Sequence, residues 1–199
     1  MSFIIVSYYT ADTLYEKQAK MFEKSLLRYH IPFHIEEIES LGTWEDNINY
    51  KPTFLKQMMD KFAPKNIAVV WVDCDAVFHS YPILFDKLES DFAVHVWKRP
   101  SRHKEEMLSG TIFVGNTKRA RDILDRWEQE CKNRMSKKHP RSREQWDQQA
   151  LAAVLEESEF EELPGEYCKI FDRMSEIRWP VIEHHQASRI VRKNSGALG

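Results

Sequence analysis

The stretch VVWVDCDAVF, residues 69–78, decides how the chain is read. Val69, Val70, Trp71 and Val72 form a continuous apolar run weighted toward β-branched residues, the pattern of a central parallel strand covered on both faces. Asp73 ends it. Side chains two apart leave an extended chain on the same side, so Asp73 and Asp75 would hold two carboxylates within about 7 Å of each other. Like charges that close require protonation, strong hydrogen bonding or a cation. The plainer alternative is a turn capped by Asp73, with Asp75 in water.

Outward from this point, strands and helices alternate. Phe3 to Val6 is an apolar run that stops at Ser7, Tyr8, Tyr9 and Thr10. Asp12 or Thr13 would cap a helix whose apolar stripe is Tyr15, Ala19, Phe22, Leu26 and Tyr29, ended by Pro32. FHIEEI (33–38) reads as a short strand, and KPTFLKQMMDKF (51–62) as a helix with Pro52 in its first turn. After Asp73 a short helix is expected near Tyr81 to Leu88, then strands DFAVHVW (91–97) and GTIFVGN (110–116), then a helix from Thr117 to about Cys131. This order predicts an α/β/α sandwich round a mostly parallel, mixed sheet in one domain. Ligands of such sheets bind at the carboxyl ends of the strands, where Tyr8, Tyr9, Thr10, Asp73 and Asp75 fall.

The whole chain sets the limits. Its 199 residues, 42% hydrophobic and 30% charged, suit one globular domain with a substantial core. No apolar run approaches the roughly 20 residues that cross a bilayer, and the opening MSFIIVSYYT lacks the basic region of a signal peptide. Cys74, Cys131 and Cys168 show no paired metal-ligand spacing, so reduced thiols in the cytoplasm are expected. A net charge of −2 gives no general attraction to nucleic acid. Basic residues nevertheless cluster in KRPSRHK (98–104) and KNRMSKKHPRSR (132–143), the second expected to be a mobile loop, and a flexible tail is expected over 190–199. Solvated loops explain them, or an anionic acceptor that they flank.

Two enzyme families use aspartates in this pattern. DCDAV (73–77) resembles the haloacid dehalogenase-type phosphatases, in which the first Asp is a nucleophile and the second a general acid. That motif normally ends the first strand of its domain, and the family needs a later acidic pair after a strand. Here a strand and two helices come first, and the acidic SEFEEL (158–163) follows a helix.

More of the chain resembles small glycosyltransferases of the GT-A fold. The resemblance rests on YKP (50–52), DCD (73–75), SGTIFVGN (109–116), WDQQAL (146–151) and HHQASR (184–189), in that order. It implies a nucleotide-diphosphate sugar donor, a uridine diphosphate sugar foremost, and Mn²⁺ or Mg²⁺ on the diphosphate. Asp75 would bind the metal, Asp73 the ribose or a metal-bound water, and His184 or His185 would supply a nitrogen ligand. Adjacent residues on a strand face opposite ways, so at most one of the two histidines can serve. Asp147, otherwise a helix cap, would be the catalytic base or a sugar ligand, with Gln148 on the donor sugar. Ser109 and Gly110 would floor the sugar pocket, Lys51 would touch the nucleotide, Tyr8 and Thr10 would border the base, and Arg189 would meet the diphosphate. Trp44, Trp97 and Trp179 are candidate sugar-stacking faces. Some small enzymes of this fold glycosylate hydroxymethylated DNA bases, so DNA is one expected acceptor. A GT-A-like domain that binds nucleotide without transfer is the non-enzymatic alternative.

Overall fold

The computed structural model describes residues 2–99, 104–136 and 146–185. Its strands are β1 (Ser2–Thr10), β2 (Phe33–Ile38), β3 (Ile67–Val72), β4 (Ala76–Phe78), β5 (Phe92–Arg99), β6 (Lys104–Val114), β7 (Glu161–Glu162), β8 (Lys169–Ile170) and β9 (Ile182–His184). Its α-helices are α1 (Leu14–Arg28), α2 (Trp44–Asn49), α3 (Lys51–Phe62), α4 (Lys118–Ser136) and α5 (Asp147–Leu155). Six strands form the main sheet in the order β2-β1-β3-β6-β5-β7, and β4-β9-β8 form a small second sheet. β1–β2, β1–β3 and β5–β7 are parallel, while β3–β6 and β5–β6 are antiparallel. The sheet is therefore mixed, with parallel pairs in the majority, as the alternating pattern predicts.

The unbroken apolar run of β3 has a direct cause. Val69 and Trp71 face one core with Phe54, Leu55, Met58, Leu124 and Trp127, whereas Ala68, Val70 and Val72 face another with Phe22, Leu26 and Phe113. Both faces are covered by apolar side chains, so alternation has nothing polar to place on either. α1 is capped by the Thr13 hydroxyl, which accepts from the Tyr15 amide at 3.2 Å.

Three expectations need correction. Residues 81–88 form hydrogen-bonded turns and no helix: Phe85 N–H bonds to Pro82, Lys87 to Leu84, and Leu84 N–H is taken by the Tyr167 hydroxyl at 3.1 Å. The fully buried Phe85 ring, wedged against Phe3, Phe113 and Tyr167, holds the segment in that form. β6 starts at Lys104, six residues before the expected strand, and β5 and β6 include Lys98, Arg99 and Lys104 of the first basic segment. α4 runs to Ser136, so residues 132–136 of the second basic segment are helical. The remainder of both segments and the tail lie outside the described residues. Among those residues no helix is long and apolar enough to cross a membrane.

α3 and α4 are fastened by charge as well as packing. Lys56 donates to Asp125 at 2.9 Å and to Glu128 at 2.6 Å, Thr53 donates to Glu128 at 2.7 Å, and Arg121 pairs with Asp60. Burial works to raise the Glu128 pKa, but Lys56, Thr53 and Lys132 outweigh it and hold it near about 2, below the usual 4.5. A depressed carboxylate stabilises the fold above its unfolded pKa and stops doing so as pH falls through the folded value. Replacing Glu128 by Gln should cost about 1 kcal/mol at pH 7. In urea titrations across the acid range, that difference should vanish between pH 4.5 and about 2.

Candidate active site

The chain turns sharply at the end of β3. The Ala76 amide donates to the Asp73 carbonyl at 3.0 Å, and the Asp73 amide to the Gly110 carbonyl at 2.9 Å. Asp73 and Asp75 thus sit on a turn, not on an extended strand. The turn still gathers their carboxylates, because an oxygen of each and a ring nitrogen of His184 all lie within 4.8 Å of one another. Asp75 is only 7% exposed, which removes the alternative of a solvated carboxylate.

Register brings in the histidine. β4 pairs antiparallel with β9 so that Ala76 faces His184, one residue from Asp75. His185 is turned outward, exposed and stacked on Phe171 at 5.2 Å between ring centres. The His184 Nε2 and the Thr111 hydroxyl are hydrogen-bonded at 2.9 Å, while Nδ1 is buried without a hydrogen-bond partner, 3.9 Å from Asp75 Oδ1. Burial disfavours charge on this ring, but Asp75, Cys168 and Asp73 outweigh it and, with no cation present, raise its pKa to about 10, so a cation bound here would take the place of a proton. A ring nitrogen without a hydrogen-bond partner beside Asp75, close to a second carboxylate, suits a divalent cation, and the ring's other nitrogen is already fixed. These three residues could hold such an ion.

β6 makes room for that ring. Between the pairs Val94–Ile112 and His95–Leu108, residues 109–111 of β6 have no partner on β5, a wide bulge beside the site. A Cβ on Gly110 would lie 3.0 Å from the His184 imidazole. Glycine therefore serves the close approach of a protein side chain at this position. Ser109 and Gly110 lie within β6, not at its start.

A buried ammonium ties the other half together. Lys51, 4% exposed, donates to Asp147 Oδ2 at 2.8 Å, Asp73 Oδ1 at 3.1 Å and the Ser109 carbonyl at 3.2 Å, and sits 5.0 Å above the Trp71 ring. Burial alone would lower its pKa, but Asp147 and Asp73 raise it. The Trp71 indole donates to Asp73 at 2.7 Å and the Ser109 hydroxyl to Asp147 at 3.0 Å. Asp147 opens α5 without capping it.

All of these groups border one cleft of about 280 Å³. Tyr8, Thr10, Lys51, Asp73, Asp75, Ser109, Gly110, Asp147, Gln148 and His184 all line it. The Tyr8 hydroxyl is spent on the Asn47 carbonyl at 2.7 Å, so its ring is what it offers a ligand. Trp44 also lines the cleft, whereas Trp97 is buried in a satellite core and Trp179 is 87% exposed away from the lining. Arg189 lies outside the described residues. Glu106, Asn47 and Arg173, which the sequence alone does not mark, line the same cleft, as does Cys168, expected only as a reduced thiol. Isolated charged and polar residues carry no period or motif, and only the fold assembles them.

A family model described as nucleotide-diphospho-sugar transferase matches residues 49–194. The chain belongs to this family. It is a glycosyltransferase that uses a nucleotide sugar. The transferase is similar in fold to a solved glycosyltransferase involved in glycosylation of the major capsid of PBCV-1, at TM-score 0.70 and 17% identity over 100% of both chains. It is similar also to the glycosyltransferase GlyE of Streptococcus pneumoniae TIGR4, at TM-score 0.60 and 16% identity over 92% of this chain. A third likeness is to the bifunctional glycosyltransferase WbbM, at TM-score 0.59 and 11% identity over 93% of this chain. The chain spans about half of the last two, 54% and 46%. No curated protein matches it.

Replacing Lys51 by Met should lower unfolding stability by about 3 kcal/mol, because it strands two carboxylates that share one cation. Adding Asp147→Asn should restore part of the loss in a urea double-mutant cycle. A loss under about 1 kcal/mol would show that water already solvates the pair.

Proposed function

We propose that this transferase takes a uridine diphosphate sugar with Mn²⁺ or Mg²⁺ held by Asp73, Asp75 and His184. The observation that carries the reading is the buried, unpartnered Nδ1 of His184 facing Asp75. When bound, the cation supplies a Lewis acid for charge that builds on the departing diphosphate. An imidazole beside two carboxylates favours Mn²⁺ over Mg²⁺.

The chain's own residues would do the rest. The Tyr8 ring and Thr10, at the end of β1, border the nucleotide, and the Asp73 carboxylate, 38% exposed toward the cleft, meets the ribose or a bound water. Lys51 acts on the nucleotide only through Asp73 and Asp147, since its three donors are committed. Asp147 takes the catalytic place: Lys51 and Ser109 anchor Oδ2, which leaves Oδ1 for a sugar hydroxyl. Gln148 follows it on the donor sugar, and Ser109 and Gly110 form the floor. Three free buried cysteines suit the reducing cytoplasm.

The family match over residues 49–194 supports sugar transfer and not the phosphatase reading. The DNA acceptor rested on basic loops, of which residues 100–103 and 137–143 lie outside the described residues. Among the described residues of these segments, Lys132 pairs with Glu128 and Arg134 with Glu130 along α4.

Calorimetric titration with nucleoside diphosphates and nucleotide sugars, with Mn²⁺ and with chelator, tests the proposal. One uridine nucleotide should bind only with metal, and Asp75→Ala should weaken it about 100-fold or more. Thr111→Val, which frees Nε2 of the ligand ring, should weaken it about 10- to 100-fold. Metal-independent binding that ignores both substitutions would sink the proposal.

A further inference from the structure

β9 is only three residues long, yet all three are buried. Ile182 lies in the core that holds Phe22 and Phe113, and His184 in the cation cluster. Successive side chains leave a strand on opposite sides, so Glu183 points away from both. At 8% exposure its carboxylate needs partners inside the protein. The Lys169 ammonium donates to Oε1 at 2.7 Å, and Oε2 lies 3.2 Å from His79 Nε2. A carboxylate can only accept, so that ring nitrogen carries a proton.

These partners come from the two strands that flank β9. Lys169 is the β8 residue directly opposite Glu183, and His79 follows the last residue of β4. One side chain therefore ties β9 to both neighbours, one oxygen to each. The backbone ladder that it supplements is short: three pairs join β4 to β9 and two join β8 to β9. So short a ladder specifies register weakly, and a slip of one residue would reverse the two faces. The pairing of Ala76 with His184 is what sets the imidazole beside Asp75. A slip would take Glu183 from Lys169 and His79 and turn its carboxylate toward Asp73 and Asp75, where like charge opposes it.

We propose that Glu183 is the positioning residue of the cation site, fixing the register of β9 through Lys169 and His79 and so holding His184, and not His185, beside Asp75. The inference rests on the reading of Asp73, Asp75 and His184 as a cation site and adds the group that keeps the third ligand in place. Glu183 is not among the cleft-lining residues and touches neither cation nor nucleotide. It acts from the far face of the strand, while the Thr111 hydroxyl fixes the ring from the near one.

Mn²⁺ binding, read from the electron paramagnetic resonance signal of the free ion with and without uridine diphosphate, tests this beside urea unfolding of the same variants. Glu183→Gln, nearly isosteric, should weaken Mn²⁺ about 10- to 100-fold, the range for a group that orients a metal ligand. It also leaves the Lys169 ammonium without its carboxylate, so stability falls. Adding Lys169→Gln removes the stranded charge: stability should recover in part, while Mn²⁺ stays weakly bound because the tie is still missing. Glu128→Gln, which breaks a carboxylate pair on α4 outside the cleft lining, should leave Mn²⁺ binding within about twofold. An unchanged Mn²⁺ affinity in Glu183→Gln would overturn the inference. So would Mn²⁺ binding that recovers in step with stability in the double variant, or equal weakening by Glu128→Gln. A wild type that binds no Mn²⁺ under either condition is a separate result, and it would remove the cation reading itself.

Discussion

A single ammonium, buried at the first residue of α3, holds the two halves of the cleft together. Lys51 reaches the turn after β3 through Asp73, the start of α5 through Asp147 and the bulged strand β6 through the Ser109 carbonyl. Desolvating that charge is costly, and only two carboxylates at hydrogen-bond distance make it tolerable. The positions of Asp73 and Asp147 follow from that one constraint. α3 itself is fixed on its outer side by the Lys56–Glu128 and Arg121–Asp60 pairs to α4, so the ammonium is presented from a braced helix.

The second organising feature is the bulge in β6. A regular strand would continue its ladder with β5 through residues 109–111 and present side chains at fixed spacing. The bulge instead releases three consecutive residues to three different tasks. Ser109 bonds Asp147, Gly110 receives the His184 ring, and Thr111 fixes that ring through Nε2. Each task is local, yet together they set the distance between the cation cluster and the start of α5. Beyond the bulge the strand is free of β3, and Glu106 reaches Gln148.

Much of this was legible in the sequence where a strong period or a breaker marks an element. The strand 33–38 and the helix 51–62 fall where FHIEEI and KPTFLKQMMDKF predict them, and the continuous run of β3 signals a strand covered on both faces. The segment 81–88 misled because Pro82 opens a plausible helix, while its real conformation depends on Phe85 and on Tyr167, far away in sequence. The expected i, i+2 approach of Asp73 and Asp75 had the right outcome from the wrong local geometry, since a turn and not a pleat brings them together. Gly110 was expected at the start of a strand as the floor of a sugar pocket, whereas it lies within β6 and the group it admits is a histidine 74 positions later in the chain. Two adjacent histidines could not be separated until the β4–β9 register turned His184 inward and left His185 on Phe171. Glu106 and Arg173 carry no signal of their own, because their meaning is entirely positional.

The small second sheet also bears on the order in which the molecule can be made. β4 follows Asp75 directly, but its partner β9 is reached only at residues 182–184. A nascent chain emerging from the ribosome therefore displays both aspartates long before the histidine exists to join them. The main sheet can assemble earlier, with its β1–β3 and β3–β6 pairs in place, while the cation cluster waits for the closing strand. Ordering of this centre is thus a late event set by long-range contact, and a bound metal would report a chain that has finished folding.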